Sequence, residues 1–194
     1  MGNSGTGVRL LMGLVATHPI TVKFYGDESL SSRPMKRVTD PLSQFGATFN
    51  GNEKGTLPIT VSGAEMPLAI TYELPVASAQ VKSAVMLAGL NTAGTTTVIE
   101  KIPTRDHSER IFKYFGVPTE QEGDQIKVSG HAELKAKNMA VPADPSSASF
   151  LIVAALITPE SDITIKNVGI NPARTGLFAT LIEMGGDITF ENKR

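Results

Sequence analysis

Hydrophobic and polar positions along this chain fall into one pattern that recurs three times. Small residues open into an apolar run of helical length at Ser4-Gly5-Thr6-Gly7 into Val8–Val15, at Ser78-Ala79-Gln80 into Val81–Leu90, and at Ser146-Ser147-Ala148 into Phe150–Ile157. A β-branched run of strand character follows each: Ile20–Tyr25, Thr95–Glu100 and Asp162–Val168. Next comes an arginine in a turn-like setting, Arg33, Arg105 or Arg174. A second amphipathic helix then ends in a hydrophobic residue and a glycine, at Phe45-Gly46, Phe115-Gly116 and Met184-Gly185. The glycines lie 70 and 69 positions apart and the arginines 72 and 69, so the spacing itself marks a repeat.

The predicted unit is helix, strand, helix, strand, with Leu57–Ser62 and Ile70–Leu74 as closing strands. The fold class is therefore α/β (α+β). In the third copy a short strand is predicted at Asp187–Phe190, and closing strands do not follow it. The first copy opens on a helix with no strand before it. We therefore expect an internal piece of a longer protein, with one domain over residues 1–142, lacking its first unit, and the start of a second over 143–194. The segment Lys135–Ser147, with Pro142 and Pro145, is the expected crossover between them.

Composition narrows the function. Hydrophobic residues make up 41% and charged residues 19%, which fits a core-forming chain and excludes a disordered one. A net charge of −1 gives no basic field for nucleic acid. The absence of cysteine excludes disulfides, thiolate metal sites and a cysteine nucleophile, and makes the cytoplasm the expected location. No apolar run is long enough to span a bilayer, so no membrane partner is expected. His18, His107 and His131 show no metal-ligand spacing, and no metal site is expected.

What remains is chemistry for anions. The first turn of a helix carries backbone N–H groups without internal partners and the positive end of the dipole. A small-residue opening lets an anion approach them. Gly5 and Gly7 would clear the way in the first copy, and Ser78 and Gln80 would add donors in the second. The turn arginines offer planar forks that suit phosphate and carboxylate. Each feature also has a structural reading: Ser78 as an ordinary N-cap, Arg33 as a solvated turn residue, Lys36 and Lys82 as residues of solvated helix faces. The glycines match neither the Walker pattern nor a dinucleotide fingerprint.

The opening Met1-Gly2-Asn3-Ser4-Gly5-Thr6-Gly7-Val8-Arg9-Leu10 resembles the Gly-Asn-Ser/Ala-Gly-Thr-x-x-Arg signature of the 3-phosphoshikimate 1-carboxyvinyltransferases, or EPSP synthases. Arg33-Pro34-Met35, Ser78-Ala79-Gln80-Val81-Lys82-Ser83, Arg105-Asp106-His107-Ser108-Glu109 (as in the class II branch) and Asp144-Pro145-Ser146-Ser147-Ala148 are similar to further family segments, in order and at family-like spacing. The resemblance implies two domains of three units each that close on the substrates. It also implies transfer of the enolpyruvyl group of phosphoenolpyruvate to the 5-hydroxyl of shikimate 3-phosphate, on the route to chorismate and the aromatic amino acids. The reaction passes through a tetrahedral intermediate and eliminates phosphate, without metal or organic cofactor, in an enzyme expected to be monomeric.

By the same resemblance Gly5, Arg33 and Gln80 would hold phosphoenolpyruvate. Ser78, Ala79, Gln80 and Arg105 would hold shikimate 3-phosphate. The family's N-terminal Lys-Ser segment and its catalytic Asp, Glu, Lys and Arg have no counterparts here, so the catalytic residues are expected to lie outside this sequence and the chain alone is expected to be inactive. Asn171-Pro172-Ala173-Arg174 departs from the Asn-x-Thr-Arg of many class II members. Alanine occupies the Gly5 position in many glyphosate-tolerant class II enzymes, so glycine here implies a glyphosate-sensitive parent. Two alternatives stand beside this reading: the sister enzyme acting on UDP-N-acetylglucosamine, which typically has a cysteine where this chain reads Gly26–Ser32, and a non-catalytic anion-binding α/β module.

Overall fold

The computed structural model describes residues 1–193 and is mixed α/β. The chain divides into two units, Met1–Ala136 and Lys137–Arg194. The first holds α1 (Gly5–Val15), β1 (Thr21–Phe24), the short α2 (Glu28–Ser31), α3 (Lys36–Ser43), β2 (Thr48–Asn50), β3 (Ile59–Ser62), β4 (Thr71–Glu73), α4 (Ala79–Leu90), β5 (Thr95–Ile99), α5 (His107–Tyr114), β6 (Thr119–Glu122) and β7 (Gln125–Ser129).

The helices start and stop for the reasons their residues give. Ser4 caps α1, its hydroxyl accepting from the Gly7 N–H at 3.2 Å, and Ser78 caps α4 by accepting from the Val81 N–H at 3.4 Å. Each cap satisfies one donor that the first turn leaves without a partner. At the other end, Gly46 and Gly116 adopt φ of 102° and 88° after α3 and α5. That left-handed geometry ends a helix and strains any residue with a Cβ.

The two copies in this unit share one topology. In the first sheet the order is β1-β3-β2, with β3 antiparallel to both neighbours. In the second it is β4-β5-β7-β6, in which β7 is likewise antiparallel to β5 and β6. One expectation needs correcting: Ile70–Leu74 does not close the first copy. Its strand β4 runs parallel to β5, and α4 supplies the crossover that a parallel pair requires. It therefore opens the second copy, while β3 already has a partner on each edge.

A pair of glycines takes equivalent places in these copies. Gly63 and Gly130 each follow the middle strand, and a Cβ there would lie 2.0 Å from the His18 carbonyl oxygen or 1.6 Å from that of Thr92. The strand ends thus pass against the loops that follow α1 and α4 too closely for any side chain.

The core lies where α1 and α4 meet over the sheets. Val8, Met12, Leu42, Phe45, Val61, Val85, Met86, Val98 and Val128 have no exposed surface. At the crossing, a Cβ on Gly13 would stand 2.3 Å from the Ala84 carbonyl oxygen. We expect Gly13→Ala to lower stability by about 1–3 kcal/mol through overpacking, although alanine gains about 1 kcal/mol in helix propensity. A urea-unfolding midpoint equal to or above that of the parent would count against this close approach.

The second unit holds α6 (Pro145–Ile157), a single 3-10 turn (Pro172–Arg174) and α7 (Gly176–Glu183). Asp144 caps α6 by accepting from the Ser146 and Ser147 N–H groups. Gly185 ends the helical run of α7 with φ 92°. Asp162–Val168 and Asp187–Phe190 were expected as strands and neither forms one; only an isolated parallel bridge joins Val168 to Ala143. The reason is visible in the other copies. There the two outer strands pair only through a middle strand, β3 or β7, and no described residues of the third copy take that place. Without it the backbone has no ladder, and Ile152, Leu156, Val168, Phe178, Ile188 and Phe190 line an open hollow. Among the described residues, no helix is long and apolar enough to cross a membrane.

Candidate anion-binding site

The openings of α1 and α4 and the start of α3 come together around Gln80. From the start of α4 its amide Nε2 donates to Thr6 Oγ1 at 2.9 Å, and its Oε1 accepts from Arg9 Nη1 at 3.0 Å and from Arg37 Nη2 at 3.4 Å. One side chain of the second copy thereby ties together α1 and α3 of the first. Two arginines on the carbonyl and a hydroxyl on the amide fix which way the group points.

Arg9 is 3% exposed on α1, where Nη1 also donates to the Gly5 carbonyl at 3.0 Å and Nη2 to that of Pro34 at 3.3 Å. Burial holds its pKa below the ordinary guanidinium value, and the neighbouring charges of Arg37 and Arg33 push it the same way. A guanidinium stays protonated nevertheless. Arg33, half-buried after α2, donates through Nη2 to Asn3 Oδ1 at 2.5 Å and Ser29 Oγ at 3.1 Å. Gly5 lies between these arginines: a Cβ on it would meet Arg33 Nη1 at 2.9 Å and Arg9 Nη1 at 3.1 Å.

Arg9, Arg33 and Arg37 form no ion pair with any carboxylate among the described residues. Three like charges around one helix N-terminus repel one another, and a bound anion relieves that repulsion while taking bidentate hydrogen bonds. The third copy makes the contrast. There Arg174 Nη2 reaches Asp144 Oδ1 at 2.8 Å at the start of α6, where Arg33 reaches the neutral Asn3 near the start of α1. Desolvation acts to raise the Asp144 carboxyl, but hydrogen bonds from Ser146, Ser147 and Arg174 outweigh it and hold it below the ordinary carboxylate range. The arginine of the third copy is thus neutralised within the chain; that of the first is not.

Ser78, Ala79 and Gln80 stand together, half-buried, at the opening of α4. Ser78 is the N-cap, so its oxygen has one lone pair engaged while its hydroxyl proton is still able to donate. Arg105 is exposed in the segment before α5 and makes no hydrogen bond or ion pair among the described residues. The structure therefore brings Gly5, Arg33 and Gln80 into one cluster with Arg9 and Arg37, and leaves Arg105 outside it.

Two arginines of the cluster were not singled out from sequence. Arg9 carried a signal, since it closes the opening signature four residues after Gly5 on the same helix face. Arg37 had only its distance of four from Arg33. A third reading must be reversed: Lys82 is not on a solvated face. Its side chain is 1% exposed, with Nζ 2.9 Å from Glu100 Oε2 and 2.7 Å from Glu109 Oε1. Around it Val81, Ala84, Val85 and Met86 are buried as well, so Lys82 sits on the packed side of α4.

Comparison with known proteins gives one answer throughout. A profile of the family described as EPSP synthase (3-phosphoshikimate 1-carboxyvinyltransferase) matches residues 1–194. A 3-phosphoshikimate 1-carboxyvinyltransferase of Paramagnetospirillum magneticum is 60% identical over the whole chain, which covers 45% of that relative. One of Parvibaculum lavamentivorans is 59% identical, with 44% of it covered. Among solved structures, EPSP synthase from Acinetobacter baumannii matches with a TM-score of 0.88 and 46% identity over all of this chain and 44% of that one. The chain thus spans a little under half the length of the relatives it matches.

Proposed function

The chain belongs to the EPSP synthase (3-phosphoshikimate 1-carboxyvinyltransferase) family, and we propose that it carries a substrate-holding part of an enzyme that moves the enolpyruvyl group of phosphoenolpyruvate onto the 5-hydroxyl of shikimate 3-phosphate. The observation that supports this best is the trio Arg9, Arg33 and Arg37, without carboxylate partners, set around Gln80 and the start of α1. Phosphoenolpyruvate carries a phosphate and a carboxylate, so it takes more than one guanidinium.

In this reading Gly5, Arg33 and Gln80 receive phosphoenolpyruvate. Gly5 leaves room for it, Arg33 meets its charge, and Gln80 stands between the two substrates. Ser78, Ala79, Gln80 and Arg105 receive shikimate 3-phosphate, the hydroxyl of Ser78 and the guanidinium of Arg105 on its phosphate. Their part in the reaction is to bring the 5-hydroxyl and the vinyl carbon together and to stabilise charge; the residues that transfer protons are not among those assigned here. Residues 1–142 would be a family domain represented by two repeats, its first one missing, and residues 143–194 the first repeat of a second. The cytoplasm fits a chain without cysteine, and the assembly would be monomeric.

A calorimetric titration tests the assignment. We expect shikimate 3-phosphate to bind the 194-residue chain weakly. Exchanging Ser78 and Arg105 together for alanine is expected to weaken it tenfold or more, from about 1.5–3 kcal/mol for each charge-assisted hydrogen bond lost. Parent-like binding by the double variant would sink these site roles. Tighter binding of UDP-N-acetylglucosamine than of shikimate 3-phosphate would favour the sister enzyme.

A further inference from the structure

Arg105 is not held by anything of its own. It is exposed, it makes no hydrogen bond or ion pair among the described residues, and the segment from 101 to 106 has no regular secondary structure. A long side chain on such a segment has up to about 2 kcal/mol of rotamer entropy to lose on binding, and a backbone free to drift would add to that.

The residues on either side of it are nevertheless anchored to one buried atom. Thr104 Oγ1 donates to Glu100 Oε1. The other oxygen of Glu100 accepts from Lys82 Nζ at 2.9 Å, and Glu109 Oε1 lies 2.7 Å from the same nitrogen. Beside them the hydroxyls of Ser83 and Ser108 are 2.6 Å apart. Lys82 is four residues, one helical turn, past the Ser78 cap of α4. Thus the turn that carries Arg105 is fastened on its N-terminal side through Thr104 and Glu100, and on its C-terminal side through Ser108 and Glu109, to the helix that begins with Ser78.

The cluster is a costly way to hold a core together. One ammonium and two carboxylates are almost wholly desolvated, and Glu109 Oε2 has no hydrogen-bond partner among the described residues. Apolar side chains of the same volume are often as stable or more so. What ionic hydrogen bonds in a low-dielectric setting do supply is direction and stiffness.

We propose that Lys82, with Glu100, Glu109 and Thr104, is a positioning device that holds Arg105 in register with the Ser78–Gln80 opening of α4, so that both meet one phosphate. This rests on the reading above that Arg105 and Ser78 receive the phosphate of shikimate 3-phosphate. Lys82 itself touches no substrate; it acts through the turn.

Thr104→Val tests this without disturbing the buried ion pairs, because it removes only the hydroxyl that reaches Glu100. In NMR titrations of the full chain we expect Thr104→Val to weaken shikimate 3-phosphate about five- to thirty-fold and Thr104→Ser to bind like the parent. Phosphoenolpyruvate affinity should stay close to that of the parent, while the thermal midpoint should fall by about 4–10 °C, because Glu100 Oε1 loses a hydrogen bond but the pair with Lys82 remains. In an Arg105→Ala background, Thr104→Val should add nothing, since it works only through Arg105. Parent-like binding by Thr104→Val, or the same loss with and without Arg105, would overturn the inference while leaving the substrate reading intact. If Arg105→Ala alone binds like the parent, the reading of Arg105 fails and the positioning role falls with it.

Discussion

Exchanging Lys82 for methionine should lower the unfolding free energy of the first unit by about 3–5 kcal/mol. Methionine fills nearly the same volume, so packing is little changed; the loss is electrostatic. Glu100 and Glu109, with side chains 6% and 8% exposed, would face each other in a desolvated pocket without the ammonium that both share. For a unit of this size the thermal midpoint should fall by about 10–20 °C. All three tyrosines, Tyr25, Tyr72 and Tyr114, lie in the first unit and the chain has no tryptophan, so tyrosine fluorescence during urea unfolding reports on this unit. Lys82→Met combined with Glu100→Gln and Glu109→Gln should recover most of the loss, because the cost lies in uncompensated charge. A single variant as stable as the parent would mean that the two carboxylates are not buried as described.

An alanine at Gly130 should be as damaging for a different reason. Its Cβ would lie 1.6 Å from the Thr92 carbonyl oxygen and 2.8 Å from that of Gly89, both backbone atoms that no rotamer change can move. The end of β7 would have to separate from the loop after α4, breaking the bonds from Gly130 N–H to the Gly94 carbonyl at 2.9 Å and from His131 N–H to that of Leu90 at 2.8 Å. We expect a loss of about 3 kcal/mol or more, beyond ordinary overpacking. Gly63→Ala should behave alike in the first copy, where the Val15 and His18 carbonyls stand in the way. If either variant unfolds at the parent's urea concentration, the equivalence of these strand ends is wrong.

Much of this arrangement was legible in the residues. The helix openings at Ser4 and Ser78 and the stops at Gly46, Gly116 and Gly185 are local signals, set by capping and by positive φ, while in the third copy the helix starts just before Ser146, capped by Asp144. Strands depend on partners elsewhere in the chain. The same β-branched pattern gave β1 and β5, whose middle strands are in place, and gave no strand at Asp162–Val168. The assignment of Ile70–Leu74 to the first copy failed because strand pairing, not sequence order, decides which sheet an edge joins.

The site was legible as chemistry more than as geometry. Glycines, turn arginines and Gln80 could be recognised as anion donors, but that Gln80 joins α1 to α3 is a contact across 71 positions from Arg9 and 43 from Arg37. Lys82 misled because a lone charge on a helix usually faces water. Its surroundings, Val81, Ala84, Val85 and Met86, are all buried, and the apolar run from Val81 to Leu90, interrupted only by Lys82 and Ser83, was the available clue. Its two partners lie 18 and 27 positions away, and nothing local connects them. Gly63 and Gly130 passed unnoticed because their neighbours are carbonyls from other segments.

The claim that this chain holds both substrates on the first unit is tested most directly by mapping amide shifts during separate titrations. We expect shikimate 3-phosphate to perturb residues around 78–83 and 104–109, and phosphoenolpyruvate to perturb those around 3–9, 33–37 and Gln80, with unphosphorylated shikimate producing little change in either set. Perturbations confined to other residues, or shikimate acting as strongly as its phosphate, would contradict it.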